Sequence, residues 1–194
     1  MSKAQEKPSS AKRDHLVDTA LELFTEGGYH AVGIDAVLAR AGVAKMTLYN
    51  HFPSKEDLIV AALARKAEQS AQGLEKALAA AGAEPRAKLL AIFDWLEVWF
   101  RSKEFRGCIY IKAASEYPRK KDKPHQAALA FKETRLELLR GLCRQAGVKD
   151  AETLAWQLSL LAEGAIVVAF MHARPEAARD AKAAAATLLA KAKN

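Results

Sequence analysis

A short segment between Gly42 and Pro53 concentrates side chains that could bind a nucleic acid. Lys45 carries an ammonium that can donate to a guanine edge or a phosphate, and Thr47 carries a hydroxyl that can donate, accept or touch a thymine methyl. Met46, between them, offers only apolar contact. Small, polar and basic groups at the start of a short helix are the groups that fit the major groove of duplex DNA. The segment therefore predicts a DNA-contacting surface.

Patterns typical of enzymes are missing from the sequence. It contains no H-E-x-x-H zinc motif, E-x-x-H di-iron pair, G-x-S-x-G turn or glycine-rich phosphate loop. The five histidines lack the spacing of metal ligands: His15, His30, His51, His125 and His172. We therefore expect no catalytic residue, no metal and no cofactor, and these absences argue against an enzyme.

The two cysteines, Cys108 and Cys143, are too few for a disulfide framework. We interpret them as small buried hydrophobic residues rather than redox sensors. The chain starts with polar residues, and no run of about 18 apolar residues is free of charge. We expect no membrane span and no export signal, and hence a protein of the reducing cytoplasm.

The charge balance suggests an acidic partner, but the charges are unevenly placed. The chain has a formal net charge of +7 and a pI near 9.4, as nucleic-acid-binding proteins often do. Residues 1–60 nevertheless carry seven Lys and Arg against eight Asp and Glu. DNA binding must therefore depend on where individual cations lie. The basic run from Arg119 to Lys123 is interpreted as a solvated loop.

Apolar residues recur at helical spacing almost throughout, so the predicted fold class is all-α. Glycine and proline separate the helices. A first helix over about 12–26 ends at a glycine pair, and short helices over 34–40 and 44–51 flank a turn at 41–43. Pro53 stops the third helix, and Ser54 caps a long fourth helix with Asp57 in a position like a capping box. Later helices are expected over 85–101, 105–116, 125–146, 151–172 and 175–191.

Two short helices joined by a glycine-containing turn, with a longer supporting helix before them, make a helix-turn-helix. In addition to this motif, residues 16–63 resemble the TetR/AcrR family of transcriptional regulators. The resemblance rests on elements that occur in the family's order and separations: Ala20-x-x-x-Phe24, Gly27, Ala39-x-x-Gly42-Val43, Leu48-Tyr49-x-His51-Phe52 and Lys55-x-x-Leu58. It implies a repressor that binds a palindromic double-stranded DNA operator as a homodimer and is released by a small-molecule effector.

The resemblance also implies roles for individual residues. Tyr49, His51 and Lys55 occupy the positions of the family's phosphate contacts, and Lys55 stands on a first helical turn where the dipole favours an anion. Lys45, Met46 and Thr47 would select the base sequence. Each of the three phosphate candidates could alternatively be an ordinary packing or surface residue.

The sequence departs from the family pattern at two positions. Gly33 stands where a threonine or serine usually caps the second helix, and Asn50 stands where a larger side chain is frequent. Both are retained as DNA-binding candidates, although Gly33 removes one side-chain contact. Lys12 and Arg13, just before the first predicted helix, are further candidates for phosphate contacts or a solvated tail.

The rest of the chain is similar to the family in length and helix content. The resemblance implies that the last two helices pair with those of a second copy through Leu154, Leu158, Leu161, Ala165, Leu188 and Leu189. One of these helices could instead complete the core of the single chain. An effector pocket among the middle helices is expected to use aromatic residues and one cysteine: Trp95, Trp99, Phe100, Cys108, Tyr110, Phe131 and Trp156.

The expected domain organisation is a DNA-binding domain over residues 1–53 and a ligand-sensing and dimerisation domain over 54–194. The alternatives are an enzyme and a helical adaptor that binds protein and has lost DNA binding. The intact set of Lys45, Tyr49, His51 and Lys55 argues against the adaptor.

Overall fold

The computed structural model describes residues 8–192 of the 194-residue chain. This range contains nine helices and no strand, so the all-α prediction is confirmed. The helices are α1 (Pro8–Gly27), α2 (Ile34–Ala41), α3 (Lys45–His51), α4 (Lys55–Ala80), α5 (Pro85–Phe100), α6 (Ile109–Glu116), α7 (Lys123–Gln145), α8 (Ala151–Met171) and α9 (Ala177–Lys191).

The helices form two compact units. Among the described residues, unit 1 contains residues 8–68 together with Ile109–Leu129, and unit 2 contains Gln69–Cys108 together with residues 130–192. Helices α4 and α7 have residues in both units. These units are defined by contacts within the fold. The predicted division into a DNA-binding and a ligand-sensing domain at residue 53 concerns function and stays a prediction.

The first three helices of unit 1 pack on one another. Leu16, Ala20 and Phe24, four residues apart on α1, are all buried. Between α2 and α3 the chain turns at Gly42, whose φ of +64° is left-handed and whose amide donates to the Leu38 carbonyl. Glycine adopts that conformation at little cost, so it ends α2 within one residue. The predicted helix-turn-helix is thereby confirmed.

Helix α4 begins with the reciprocal capping that the sequence predicts. The Asp57 amide donates to Ser54 Oγ at 3.2 Å, and the Ser54 hydroxyl donates to Asp57 Oδ2 at 2.6 Å. Further along α4, the Arg65 guanidinium binds Asp14 at 2.6 Å and Asp18 at 2.9 Å on α1. Two hydrogen-bonded charge pairs thus hold α4 against the middle of α1.

Helix α6 is fixed to the turn that follows α1. The Glu116 carboxylate accepts from the amides of Tyr29 at 3.1 Å and His30 at 2.6 Å. The Lys112 ammonium donates to the Thr25 carbonyl at 2.9 Å, where the C-terminal end of α1 is electronegative. The Tyr29 hydroxyl, which is buried, donates to the Ile109 carbonyl at 2.9 Å. Both ends of α6 therefore hold the α1–α2 turn in place.

Unit 2 is organised around α5, α8 and α9, which pack against one another. Its core includes the fully buried side chains of Leu89, Phe93 and Leu158. Small residues on α9, such as Ala181 and Ala185, are buried as well and allow close approach of the helix backbones. Most of the buried residues in the core cluster of unit 2 lie on these three helices.

One helix boundary expected from the sequence is wrong. The helix expected to begin at Phe105 begins instead at Ile109, because Gly107 adopts a left-handed φ of +76° and interrupts the helix before it.

Helix α8 is long and apolar enough, by length and composition alone, to cross a membrane. It has 21 residues, and its most apolar 18-residue stretch has a mean hydropathy of 1.7 and is 33% buried. Interior helices of soluble proteins pass the same test, and α8 packs against α5 and α9.

We expect Leu158→Ala to lower the free energy of unfolding by about 2–5 kcal/mol, because it leaves a cavity in the core of unit 2. Chemical denaturation at several protein concentrations would measure this, and the loss should not depend on concentration. Leu129→Ala, at a side chain that is 53% exposed on α7, is the matched control and should change stability by less than about 0.5 kcal/mol. Equal effects of the two substitutions would contradict the core position of Leu158.

We expect Glu116→Gln to loosen the turn between α1 and α2, because it removes the charge from two accepted hydrogen bonds. The loss should be about 1–2 kcal/mol, and amide hydrogen exchange at Tyr29 and His30 should accelerate. Glu104→Gln, at an exposed position of unit 2, is the control. Unchanged exchange at both amides would show that the carboxylate does not hold this turn.

Candidate nucleic-acid interface

Helix α3 presents one polar face and one apolar face. Lys45, Met46, Tyr49 and Asn50 are exposed, with 71% of Met46 and 42% of Tyr49 accessible. Their spacing of one, four and five residues places them along one side of a helix. On the other side, Leu48 is fully buried. Four of the eight predicted DNA-binding residues thus share one accessible stripe.

The inner face explains why so short a helix is stable. A seven-residue helix has too few internal hydrogen bonds to persist alone in water. Leu48 and Phe52, one turn apart, are both buried, and α3 packs on α1 and α2. The Phe52 amide donates to the Leu48 carbonyl at 2.8 Å and closes the last turn. Packing of these two side chains therefore fixes the direction in which the exposed stripe points.

The other predicted residues lie at the edges of this stripe. Thr47 and His51 are half-buried, and the Thr47 amide donates to the Ala44 carbonyl at 3.0 Å in the first turn of α3. Gly33 is the N-cap of α2 and supplies no side-chain hydrogen bond there. The first amides of α2 therefore have no side-chain partner from their cap residue.

Lys55 occupies the first residue of α4 and is half-buried. Its ammonium lies 3.5 Å from the His30 carbonyl oxygen. Burial lowers the pKa of Lys55, and the nearby Glu116 carboxylate opposes that change. Two residues on, hydrogen bonds from Lys123 and Ser54 hold the pKa of Asp57 below its ordinary value. The start of α4 thus places the Lys55 ammonium two residues before Asp57, whose carboxylate already has partners.

Lys12 and Arg13 lie within α1, which begins earlier than predicted. Both are exposed. The Arg13 guanidinium stacks over the Phe52 ring at 5.3 Å from its centroid, and it lies 3.9 Å from the Asp14 carboxylate. Arg13 is therefore placed beside the C-terminal end of α3, whereas Lys12 extends from the surface of α1.

The residues predicted for dimerisation divide into two groups. Leu161 and Leu188 are half-buried. The other four are buried in unit 2 itself: Leu154, Leu158, Ala165 and Leu189. A side chain that is already buried within one chain has little accessible surface left to contact a second copy. The exposed side of α8 is formed instead by Trp156, Leu160, Val167, Phe170 and Met171.

The residues predicted for an effector pocket occupy several environments. Trp95 lines a groove of about 670 Å³ in unit 2 with Ala77, Leu90 and Lys182. Trp99 packs edge-on against Phe105 at 4.9 Å. The remaining five are buried Phe100 and Tyr110, half-buried Cys108 and Phe131, and exposed Trp156. The groove therefore includes one of the seven, and the pocket stays a prediction.

Sequence reasoning missed Glu116 and Arg65, which position the interface without belonging to it. Glu116 holds the turn that leads into α2, and Arg65 holds α1 against α4. Their partners lie 47 to 87 residues away along the chain. Such contacts leave no local pattern, and the isolated carboxylate and guanidinium look like ordinary surface residues in the sequence.

Comparison with known proteins finds similarity first in the N-terminal part of the chain. Residues 16–72 match the family model for bacterial regulatory proteins of the tetR family. The chain is 39% identical over 93 residues to the HTH-type transcriptional activator FasR of Mycolicibacterium smegmatis, a match that covers 46% of this chain and 42% of FasR. It is 50% identical over 58 residues to the HTH-type transcriptional repressor KstR of Rhodococcus jostii, covering 30% and 27% of the two chains. These matches span less than half the length of either relative.

The likeness in fold extends over nearly the whole chain. A solved TetR-family transcriptional regulator from Streptomyces coelicolor is similar with a TM-score of 0.86 and 28% identity, and the match covers 98% of both chains. The named relatives are transcriptional regulators rather than enzymes. The helix-turn-helix residues, the relatives and the fold agree: residues 16–72 match the tetR family model, and the chain is similar to TetR-family bacterial transcriptional regulators.

Proposed function

We propose that this regulator is a cytoplasmic homodimer that represses transcription by binding a palindromic DNA operator and is released by a small-molecule effector. The observation that supports DNA binding most directly is the stripe of Lys45, Met46, Tyr49 and Asn50 on α3. Burial of Leu48 holds this stripe outward. A short helix of this kind fits a major groove about 12 Å wide.

The residues around the stripe are proposed to have two kinds of role. Lys45, Met46, Thr47 and Asn50 meet base edges, because they lie on or beside the exposed face of α3. Tyr49, His51 and Lys55 contact phosphates, which fixes the register of the helix but carries no base information. Gly33 contributes through its backbone at the start of α2.

A second copy is needed because one seven-residue helix reads few base pairs. Two recognition helices would meet half-sites about 34–36 Å apart on one face of the duplex. The proposed pairing surface is the exposed side of α8. Trp156, Leu160, Val167 and Met171 are separated by 4, 7 and 4 residues, so they share one face, and all four are exposed. Gly164 lies on the same face. A Cβ at this position would have no neighbouring group within 4 Å, so a helix of the second copy has room to approach closely.

Effector binding is proposed for the chain beyond residue 53, with residues 1–53 as the DNA-binding domain. The groove beside Trp95 has a volume within the usual range for ligand pockets, roughly 300–1,000 Å³. An effector that binds more tightly to a dimer conformation in which the two recognition helices cannot reach both half-sites shifts the population toward that conformation. Occupancy of the operator then falls.

Repression is the proposed direction of control. Occupying an operator is enough to block a promoter, whereas activation requires a further contact with the transcription machinery. KstR carries the name of a repressor and FasR that of an activator. A reporter gene placed behind the operator therefore distinguishes the two outcomes directly.

We expect Tyr49→Phe to weaken binding to all duplex sequences by about threefold to tenfold, because it removes one phosphate hydrogen bond. Lys45→Ala should instead change which bases are preferred. The operator is first selected from random duplexes with the full chain, and fluorescence anisotropy then gives the affinity for it and for single-base variants. Lys76→Ala, at an exposed lysine on the part of α4 that belongs to unit 2, is the control.

Two outcomes would contradict this interface. Selection that returns no enriched sequence, together with no salt-dependent retention on sheared DNA, would favour the helical adaptor. Equal effects of Lys45→Ala and Lys76→Ala would remove α3 from the DNA contact even if the chain binds DNA.

We expect Val167→Glu to convert the dimer into a monomer, because it buries a charge in an apolar interface. Val98→Glu is the matched control: Val98 is 72% exposed on α5, and Val167 is 47% exposed on α8. Sedimentation equilibrium gives the mass of each variant, and circular dichroism verifies that both fold. A folded Val167→Glu dimer, or a wild-type monomer, would contradict the proposed pairing surface.

A further inference from the structure

The basic loop, defined as residues 118–123, contains most of the connection between α6 and α7 and the first residue of α7, and it lies in the same compact unit as α3. It contains Arg119, Lys120, Lys121 and Lys123 with one acid, Asp122. From sequence the run looks like a solvated loop. Its contacts in unit 1 suggest a more specific role.

The backbone of the basic loop is held in a defined conformation. Asp122 is 8% exposed, and its carboxylate accepts from Arg119 Nε at 3.1 Å. The Asp122 amide donates to the Arg119 carbonyl at 2.9 Å, and the Asp122 carbonyl accepts from the Gln126 amide at 3.0 Å. Just before the loop, the Tyr117 carbonyl accepts from His125 Nδ1 at 3.0 Å. A loop ordered in this way loses little conformational entropy on binding a partner.

The loop ends beside the first turn of α4. Lys123 Nζ lies 2.6 Å from Asp57 Oδ1, and Asp57 is two residues after Lys55, the proposed phosphate contact. On the preceding side, the Tyr117 ring lies 4.6 Å from the His30 ring, and the His30 carbonyl oxygen is 3.5 Å from Lys55 Nζ. Contacts on both sides of the loop therefore place it next to Lys55.

Two cations of the loop are left for an outside partner. Asp57 and Asp122 are engaged by Lys123 and Arg119 respectively. Lys120 and Lys121 are exposed and form no ion pair with any residue that the structure describes. Two flexible ammonium groups on an ordered loop suit a partner with closely spaced negative charges, as in a nucleic-acid backbone.

We propose that Lys120 and Lys121 contact backbone phosphates of the DNA duplex flanking each half-site, and so extend the interface beyond the helix-turn-helix. The inference rests on the proposed function, since it requires the exposed stripe of α3 to be docked on DNA. These contacts are independent of base sequence. They raise affinity and salt dependence without changing which operator is chosen.

The test compares the full-length wild type with Lys120→Ala/Lys121→Ala on two duplexes. One contains the selected operator alone, and the other adds about ten base pairs of unrelated sequence on each side, roughly one helical turn. Affinity is measured over a range of salt concentrations. On the long duplex the slope of log K against log salt should become less steep for the variant. The decrease in steepness should be about 0.9 for each phosphate contact that the variant loses, counted over both subunits. On the short duplex, variant and wild type should agree.

The matched control is Lys103→Ala/Lys149→Ala, which removes the same charge from two exposed lysines of unit 2. Thermal unfolding verifies that both double variants keep wild-type stability. An unchanged slope for the loop variant on the long duplex, or an equal drop for the control, would overturn the proposal.

Failure of the proposed function gives a different result. If wild type binds the operator and Tyr49→Phe weakens it while the loop variant matches wild type on both duplexes, the flanking contact alone is wrong. If wild type binds no duplex in a salt-dependent manner, both the operator interface and the flanking contact are wrong.

Discussion

Burial of two side chains, one on the seven-residue helix α3 and one on the residue that follows it, is the constraint on which the rest of the structure depends. Helix α3 cannot persist alone, so Leu48 and Phe52 must be covered by α1 and α2. Covering them forces the opposite face, with its lysine, tyrosine and asparagine, into solvent. The stability of α3 and the orientation of its exposed stripe therefore result from the same packing, and a change that loosens the buried face also changes the direction of the exposed face.

Helix α1 is held in place by polar contacts from both α4 and α6. Charged groups on α4 bind it near its middle, where Arg65 meets two aspartates. Charged groups on α6 bind it at its end, where Lys112 meets a terminal carbonyl and Glu116 meets the amides that follow. These hydrogen bonds have direction, unlike apolar packing, and so they determine the position of α1 as well as stabilising it.

Much of unit 1 could be predicted from sequence because its signals are local. Helical spacing, the glycine turn at Gly42 and the capping pair Ser54 and Asp57 each act within a few residues. The roles of Glu116 and Arg65 could not be predicted, since their partners are distant in sequence. On α8 the apolar residues extend around much of the helix, so periodicity could not separate buried Leu158 from exposed Leu160. The left-handed Gly107 was likewise invisible as a helix boundary.

The glycines around the α1–α2 turn differ in how freely they can change during evolution. A Cβ at Gly27 would lie 2.8 Å from Val32, and Gly28 combines a φ of +84° with the nearby Glu116 carboxylate, so neither tolerates a side chain without rearrangement. Gly33 has a φ of −79° and empty space around it. Serine would fit there and would supply the side-chain helix cap that the glycine lacks. Position 33 is therefore free to accept a side chain, whereas the neighbouring turn is not.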